Sequence, residues 1–274
     1  MRYFVVSDIH SFYTPLIHGL KNAGYDKNNE NHTLVVLGDI FDRGKETVKV
    51  YDFLRSIPEE RLVMVKGNHE YLLEELVKKE FPQGYDIHNC TVNTVYALAG
   101  VKDIKRRVES VRNALEWTEY GISLHKRSVD AWKRVRDIAK NHPFFDWVKT
   151  WRNYYIIDDI LLVHAGVPSS SCWKIADKIR WERATWECPY AKGYPKEFKK
   201  IVVGHWHSGD FYRVFRQQLP TGIYNYNDID DIFFGNRLIA IDGGVTWSAG
   251  NFYHKQNVLI IEDGKLTNGN PTKY

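Results

Sequence analysis

Only three cysteines, Cys90, Cys172 and Cys188, occur in the 274-residue sequence; none forms a CxxC pair, and an odd number leaves one over. That scarcity argues against a disulfide framework and a thiolate metal site, and it predicts a reducing compartment. A long apolar run is missing too. Met1 leads through Tyr3-Phe4-Val5-Val6 straight into polar Ser7-Asp8, with no charged leader ahead of a hydrophobic stretch. The expectation is a soluble cytoplasmic protein with no membrane partner. Charge of one sign is scarce as well: a net charge of +4 with 26% charged residues fits neither a polyanion-coating protein nor a disordered one, so no nucleic-acid partner is expected. Internal repeats and low-complexity tracts are absent. The length suffices to bury a full core. Because the candidate site residues are scattered from one end to the other, a single domain over residues 1–274 is expected; the oligomeric state is not legible.

What the chain does contain is a series of apolar runs that stop at polar side chains. Leu34-Val35-Val36-Leu37 runs through Gly38 into Asp39, with Asp42 and Arg43 three and four residues on. A short apolar run of this kind reads as a buried strand, and glycine lets the backbone leave it tightly. Asp39 then lies at a strand's carboxyl end, where open α/β sheets place ligands. Arg43 presents paired donors matched to a phosphate's oxygens.

The same grammar recurs along the chain. Residues 3–6 run into Asp8 and His10, which point the same way if the backbone stays extended and can converge on one ion. Leu62-Val63-Met64-Val65 precedes Lys66-Gly67-Asn68-His69-Glu70. There, Asn68 offers an amide oxygen to a metal or an NH2 to a phosphate, and His69 offers a proton near neutral pH. Residues 154–157 and 160–163 read as a strand pair turned at Asp158-Asp159, ending in His164-Ala165-Gly166. Ile201-Val202-Val203 ends in Gly204-His205-Trp206-His207. Residues 237–241 end at Asp242-Gly243-Gly244, residues 257–262 form the last strand, and the segment from Gly264 reads as a frayed tail.

Between the runs the pattern is helical. Thr14-Pro15 opens a helix over 15–23 that Gly24 ends, and 45–57 and 70–81 follow with apolar residues at helical spacing. Glu74 and Glu75 are spaced to pair with Lys78 and Lys79. Residues 81–151 form a helical insertion, with Val101, Ile104, Val108, Val111 and Leu115 on one helix and 128–140 as another. Its many Lys and Arg residues read as a solvated face, or as a rim that attracts an acidic substrate. Residues 209–236, rich in Phe and Tyr, read as an exposed loop or lid. Asp228, Asp230 and Asp231 there lack the spacing of an EF-hand.

Every motif donates only Asp, Asn or His, a set that suits manganese, iron or zinc and unlike the cysteines of a zinc finger. Two ions are more economical than one. Asp8, His10 and Asp39 would hold the first, and Asp39, Asn68, His164 and His205 the second, with Asp39 bridging across about 3.5–4 Å.

SDIH, GDIFDRG, GNHE, HAG and GH, in this order, resemble the signature of the calcineurin-like metallophosphoesterases, and more closely that of their phosphoprotein phosphatase branch, which includes small bacterial and phage enzymes. The resemblance implies an α/β fold, a central β-sandwich flanked by helices, and a dinuclear site holding two divalent ions, manganese first and iron or zinc as alternatives. It implies the same two ligand sets, a phosphate-binding Arg43, and His69 as general acid oriented by Asp42. It also implies a second phosphate-binding arginine after the HAG loop, for which Arg183 is the candidate. Two departures stand out. Ser7 and Ser11 occupy positions often held by glycine, and His207 adds a histidine more typical of phosphodiesterase-like relatives, so it joins the candidate metal ligands. The implied activity is phosphomonoester hydrolysis by a metal-bridging hydroxide, on phosphoserine or phosphothreonine in proteins or on a small phosphoester. Hydrolysis of dinucleoside polyphosphates or of phosphodiesters is the enzymatic alternative. A phosphopeptide-binding module on a dead site is disfavoured, since no ligand is missing.

Overall fold

Each apolar run that ends in a site motif is a strand in the computed structural model, which describes residues 1–119, 126–168, 173–174, 178–189, 195–216, 230–245 and 255–271. Strands β1 (Arg2–Val6), β2 (His32–Leu37) and β3 (Leu62–Val65) pair in parallel. They are followed later in the chain by β4 (Tyr154–Ile157), β5 (Ile160–Val163), β6 (Lys200–Val203), β7 (Phe233–Phe234), β8 (Leu238–Ala240), β9 (Leu259–Glu262) and β10 (Lys265–Asn268). One five-stranded sheet runs β10-β9-β1-β2-β3 and the other β4-β5-β6-β8-β7. In the second sheet β5, β6 and β8 are parallel, while β4 and β7 are antiparallel edges.

The period of two explains why these runs are continuously apolar. Val5, Val35, Leu37 and Leu259 of the first sheet share one core cluster with Ile160, Leu162, Val202 and Ile239 of the second, so the sheets pack face to face. The intervening residues point the other way. Phe4, Val6, Leu34 and Val36 pack under the first sheet's helices, and Leu161, Val163, Ile201 and Val203 pack against Trp173, Trp181 and Phe211. Both faces are buried, so neither can be polar.

The helices on the first sheet begin with α1 (Tyr13–Asn22), α2 (Thr47–Arg55) and α3 (Asn68–Leu76). The helical insertion is present as α4 (Gly84–His88), α5 (Thr91–Leu98), α6 (Ile104–Glu119), α7 (Lys126–Lys140) and α8 (Phe144–Trp147). Helices α9 (Lys178–Ala184) and α10 (Ser208–Val214) belong to the second half. Among the described residues no helix is long and apolar enough to cross a membrane.

Three sequence expectations need correction. Residues 265–268 are no frayed tail, because β10 pairs antiparallel with β9 and occupies its otherwise open edge. Residues 209–236 are not wholly a loop: α10 and β7 occupy its two ends, and the part at 217–229, with Asp228, lies outside the described residues. Asp231 is bound by Lys255 and by Asn268 Nδ2 at 3.1 Å, which fastens the chain there. Finally, Lys78 pairs with Glu75 at 2.6 Å as expected, but Glu74 turns to Lys66 and Lys79 to Asp86.

Candidate active site and metal centre

Six parallel strands feed one place. Asp8 and His10 follow β1, Asp39 follows β2, Asn68 and His69 follow β3, His164 follows β5, His205 follows β6, and Asp242 follows β8. They converge by tight turning and not by the extended alternation expected for Asp8 and His10. Asp8, His10, Ser11, Asp39, Asp42, Arg43 and His205 all have positive φ, making seven of the eleven non-glycine residues that do among those described. Left-handed backbone is costly for such residues and persists only where its surroundings over-determine it. At Asp8, Asp39 and His205 the turn comes two residues after a strand ends. Gly38, at φ 81°, permits the turn into Asp39, and a Cβ on it would strike the backbone of Gly67.

Asp39 sits at the focus. Its Oδ2 lies 3.8 Å from His10 Nε2, 4.0 Å from His69 Nε2 and 3.4 Å from His164 Nε2. Two groups able to hold a cation share it: His10, Asp39 and His69 on one side, and Asp39, His164 and His205 on the other. Asp8 closes the first side, with Oδ1 4.0 Å from His10 Nε2 and Oδ2 accepting the His205 N–H at 2.9 Å. Asn68 closes the second, with Oδ1 2.9 Å from His164 Nε2.

Backbone carbonyls choose which ring nitrogens face inward. His164 Nδ1 donates to Leu37 O at 2.6 Å and His10 Nδ1 to Phe41 O at 2.9 Å, which leaves both Nε2 atoms to the site. His164 Nε2, Asn68 Oδ1 and Asp39 Oδ2 therefore need a proton or a cation among them. Burial opposes charge on His164, yet Asp39 outweighs it and takes the ring up to about 10. Burial also opposes ionisation of Asp39, and the facing His164 and His69 hold it well below the usual carboxylate range. Burial, with Asp242 nearby, pushes Asp8 well up, and burial raises Asp242. Buried carboxylates with facing imidazoles and no thiolate are a donor set that fits divalent cations.

Beside this centre, His69 Nδ1 donates to Asp42 Oδ2 at 2.6 Å, and its other nitrogen lies 3.5 Å from Arg43 Nη2. Burial works against the charged ring, and Asp39 and Asp42 overcome it, so the His69 pKa is raised. Both Asn68 and His69 lie in the first turn of α3, where the helix begins earlier than the sequence pattern implied.

A family profile described as calcineurin-like phosphoesterase matches residues 1–236. The chain belongs to the calcineurin-like metallophosphoesterases. It is 37% identical over 76 residues to the asymmetrical bis(5'-nucleosyl)-tetraphosphatase PrpE of Bacillus velezensis, covering 25% of this chain and 30% of that protein. It is 21% identical over 232 residues to the symmetrical bis(5'-nucleosyl)-tetraphosphatase of Buchnera aphidicola, covering 84% of this chain and 63% of that one. The chain thus spans less than two thirds of the length of either relative. Among solved structures, a cold-active protein tyrosine phosphatase has the same fold, with a TM-score of 0.51 at 16% identity over 97% of this chain and 78% of the other.

A cavity of about 220 Å³ opens over this metallophosphoesterase's centre, lined by Asp8, His10, Asp39, Arg43, Asn68 and His69 from the first sheet's side and by Trp186, His205, Trp206, His207 and Asp242 from the second's. His207 lines the cavity as the residue before α10, its Nε2 donates to Gly243 O at 3.1 Å, and it is in neither of the two groups able to hold a cation. Arg183 is exposed in the last turn of α9 and does not line the cavity. The exposed Lys102, Lys105, Arg106, Arg107 and Arg112 of the insertion are not part of its lining either.

Sequence reasoning missed four contributors. Asp242 carried the same strand-end signal as the others and was left unassigned. Glu70 accepts three backbone N–H groups, from Asp39 at 2.9 Å, Ile40 at 3.0 Å and Gly67 at 2.7 Å, so it fixes the turns on either side of the centre. Burial and the Asp39 charge push Glu70 up to about 7, against the pull of those donors. Thr91 and Thr94, which bind Asp42, gave no signal beyond ordinary polar positions on a helix.

Proposed function

We propose that this metallophosphoesterase is a metal-dependent phosphomonoesterase acting on phosphoserine or phosphothreonine. The observation that carries the reading is the sharing of Asp39 by two cation-binding groups, next to a buried Asp42–His69 pair. The residues that would hold one ion are Asp8, His10 and Asp39, with His207 able to join them, while His69, which clusters with His10 and Asp39, is turned to Asp42 and serves as the acid instead; Asp39, Asn68, His164 and His205 would hold the other. Manganese is the first choice, with iron or zinc as alternatives. Such a pair, when bound, supplies Lewis acidity to phosphoryl oxygens and a nucleophile from water near neutral pH.

The chain's own residues supply the rest. Arg43 presents its planar fork to the phosphoryl oxygens and holds the phosphorus in line. His69, charged through Asp39 and Asp42, gives its Nε2 proton to the departing oxygen as the phosphorus–oxygen bond breaks and that oxygen keeps the electron pair. Asp42, held on Nδ1, accepts from the ring throughout and leaves Nε2 as the proton donor. At about 220 Å³ the cavity is smaller than a usual small-molecule pocket, which suits a phosphoryl group whose remaining bulk lies outside.

A second reading, hydrolysis of dinucleoside polyphosphates, is favoured by the names of both curated relatives and by Trp186, a residue 46% exposed that lines the cavity and could stack on a base. The deciding experiment measures kcat/KM of the manganese-loaded protein on a phosphoserine peptide, p-nitrophenyl phosphate and diadenosine tetraphosphate. The first reading expects the peptide to exceed the dinucleotide; the reverse order would replace it with the second. No turnover of any of the three would overturn both.

A further inference from the structure

Asp42 is gripped by a helix that none of the strand-end motifs contains. At the start of α5, 49 residues further along the chain, Thr91 Oγ1 donates to Asp42 Oδ2 at 2.8 Å. One turn later, Thr94 Oγ1 donates to Oδ1 at 2.5 Å and accepts the Asp42 backbone N–H at 3.1 Å. Both threonines are buried, at 0% and 1% exposure.

Consider what that leaves Asp42 able to do. Each carboxylate oxygen has a hydroxyl donor, so the plane of the group is fixed from both ends. Oδ2 receives His69 Nδ1 as well, at 2.6 Å. The imidazole thus meets an acceptor whose direction is set by α5 rather than by rotation about the aspartate's own side-chain bonds. Asp42 itself stands at φ 71°, a conformation that the Thr94 bond to its N–H helps to hold. Two threonines one turn apart on a buried helix face are unremarkable for packing alone, but packing does not require that both hydroxyls end on one carboxylate. Valine has the same shape and would pack as well.

We propose that Thr91 and Thr94 are positioning residues that aim the His69 proton donor, so that the helical insertion takes part in leaving-group protonation. This rests on the reading of His69 as general acid, and the test separates the two ideas. It compares Thr91→Val, Thr91→Ser, Thr94→Val, Thr94→Ser and His69→Asn, all loaded with manganese, on a phosphoserine peptide and on p-nitrophenyl phosphate, whose leaving group needs little protonation. Loss of one hydrogen bond to a charged group should lower kcat on the peptide by about 10–100-fold in Thr91→Val, and by less than about threefold on the aryl phosphate, with KM held. Serine at either position should restore most of the rate. Adding Thr91→Val to His69→Asn should cost nothing more, because the clamp acts only through the ring. Thr94→Val also orphans the Asp42 N–H; if it fails to fold, Thr91→Val, which removes a single hydroxyl, still decides. The proposal is overturned if Thr91→Val keeps the wild-type peptide rate, loses equally on both substrates, or is not rescued by serine, while His69→Asn still discriminates between them. Equal losses on both substrates in His69→Asn would instead overturn the general-acid reading, and the clamp with it.

Discussion

Glu70 makes the sharpest test of how the centre is built, because one side chain holds two turns at once. Its Oε2 accepts N–H groups from Asp39 and Gly67, and its Oε1 accepts that of Ile40. Replacing it with glutamine keeps the shape and one carbonyl oxygen, which can retain the first two bonds. The new NH2 would face the Ile40 N–H, donor against donor. An orphaned buried donor costs about 1–3 kcal/mol, and above pH 7, where Glu70 is ionised, the two remaining bonds weaken from charge-assisted to neutral by about 1 kcal/mol each, so the total comes to about 3–5 kcal/mol. For a chain of this size that corresponds to a fall in Tm of about 6–20 °C. Glu70→Ala orphans all three donors, and at about 3–9 kcal/mol it approaches the whole stability of a typical protein. The assay is urea unfolding followed by tryptophan fluorescence in the presence of EDTA, so that lost stability is not confused with lost metal. If Glu70→Gln unfolds within about 0.5 kcal/mol of the wild type with an unchanged m-value, the three bonds do not hold the turns and the account of the centre is wrong.

Asp39→Asn should lower both metal content and turnover by orders of magnitude, because both cation-binding groups use that carboxylate; two metals per chain by mass spectrometry, with normal activity, would end the shared-ligand scheme. Removing metal with EDTA should lower Tm by about 5–10 °C relative to protein at a hundredfold excess of manganese over its dissociation constant, since Asp8 and Asp39 are then buried together, beside half-buried Asp242, without a cation; identical melting curves would argue against a metal at the centre. His207→Ala should weaken one metal by about 10–100-fold and spare the other, and calorimetric titration giving two unchanged affinities would restrict His207 to its bond with Gly243 O. Gly38→Ala should cost about 2–4 kcal/mol from left-handed strain and overpacking against Gly67, and a wild-type urea midpoint would show that the turn has room to relax.

Much of this architecture was legible because it depends on contrast along the chain. Leu34 to Leu37 are apolar without interruption since both faces of β2 are buried, and Asp39 stands out against them for the same reason. The residues that cluster at the centre could be picked out from such contrasts. Their means of convergence could not. Left-handed conformations at Asp8, His10 and His205 leave no mark in composition, and the extended backbone assumed for Asp8 and His10 is not the one they adopt. The edge strand β10 was missed on similar grounds. KLTN offers one apolar residue, Leu266, and its pairing depends on an open edge of β9 that only the assembled sheet presents.

The residues that sequence reasoning overlooked share a property: they bind other parts of the site rather than a ligand. Glu70 serves backbone N–H groups, and Thr91 and Thr94 serve Asp42 across 49 and 52 residues of chain. A metal ligand is constrained by the chemistry of its ion, so Asp, Asn and His recur at recognisable places. A supporting residue is constrained only by reach and by hydrogen-bond sense, which threonine, serine, glutamate and many others satisfy. The consequence is physical. The strand ends determine which atoms meet, whereas α3 and α5 determine the angles at which they meet. The bonds from α5 end on Asp42, beside the proton donor, and not on a residue that would hold an ion. Variation in the helical insertion should therefore tune the leaving groups this phosphoesterase tolerates while leaving its metal content unaltered.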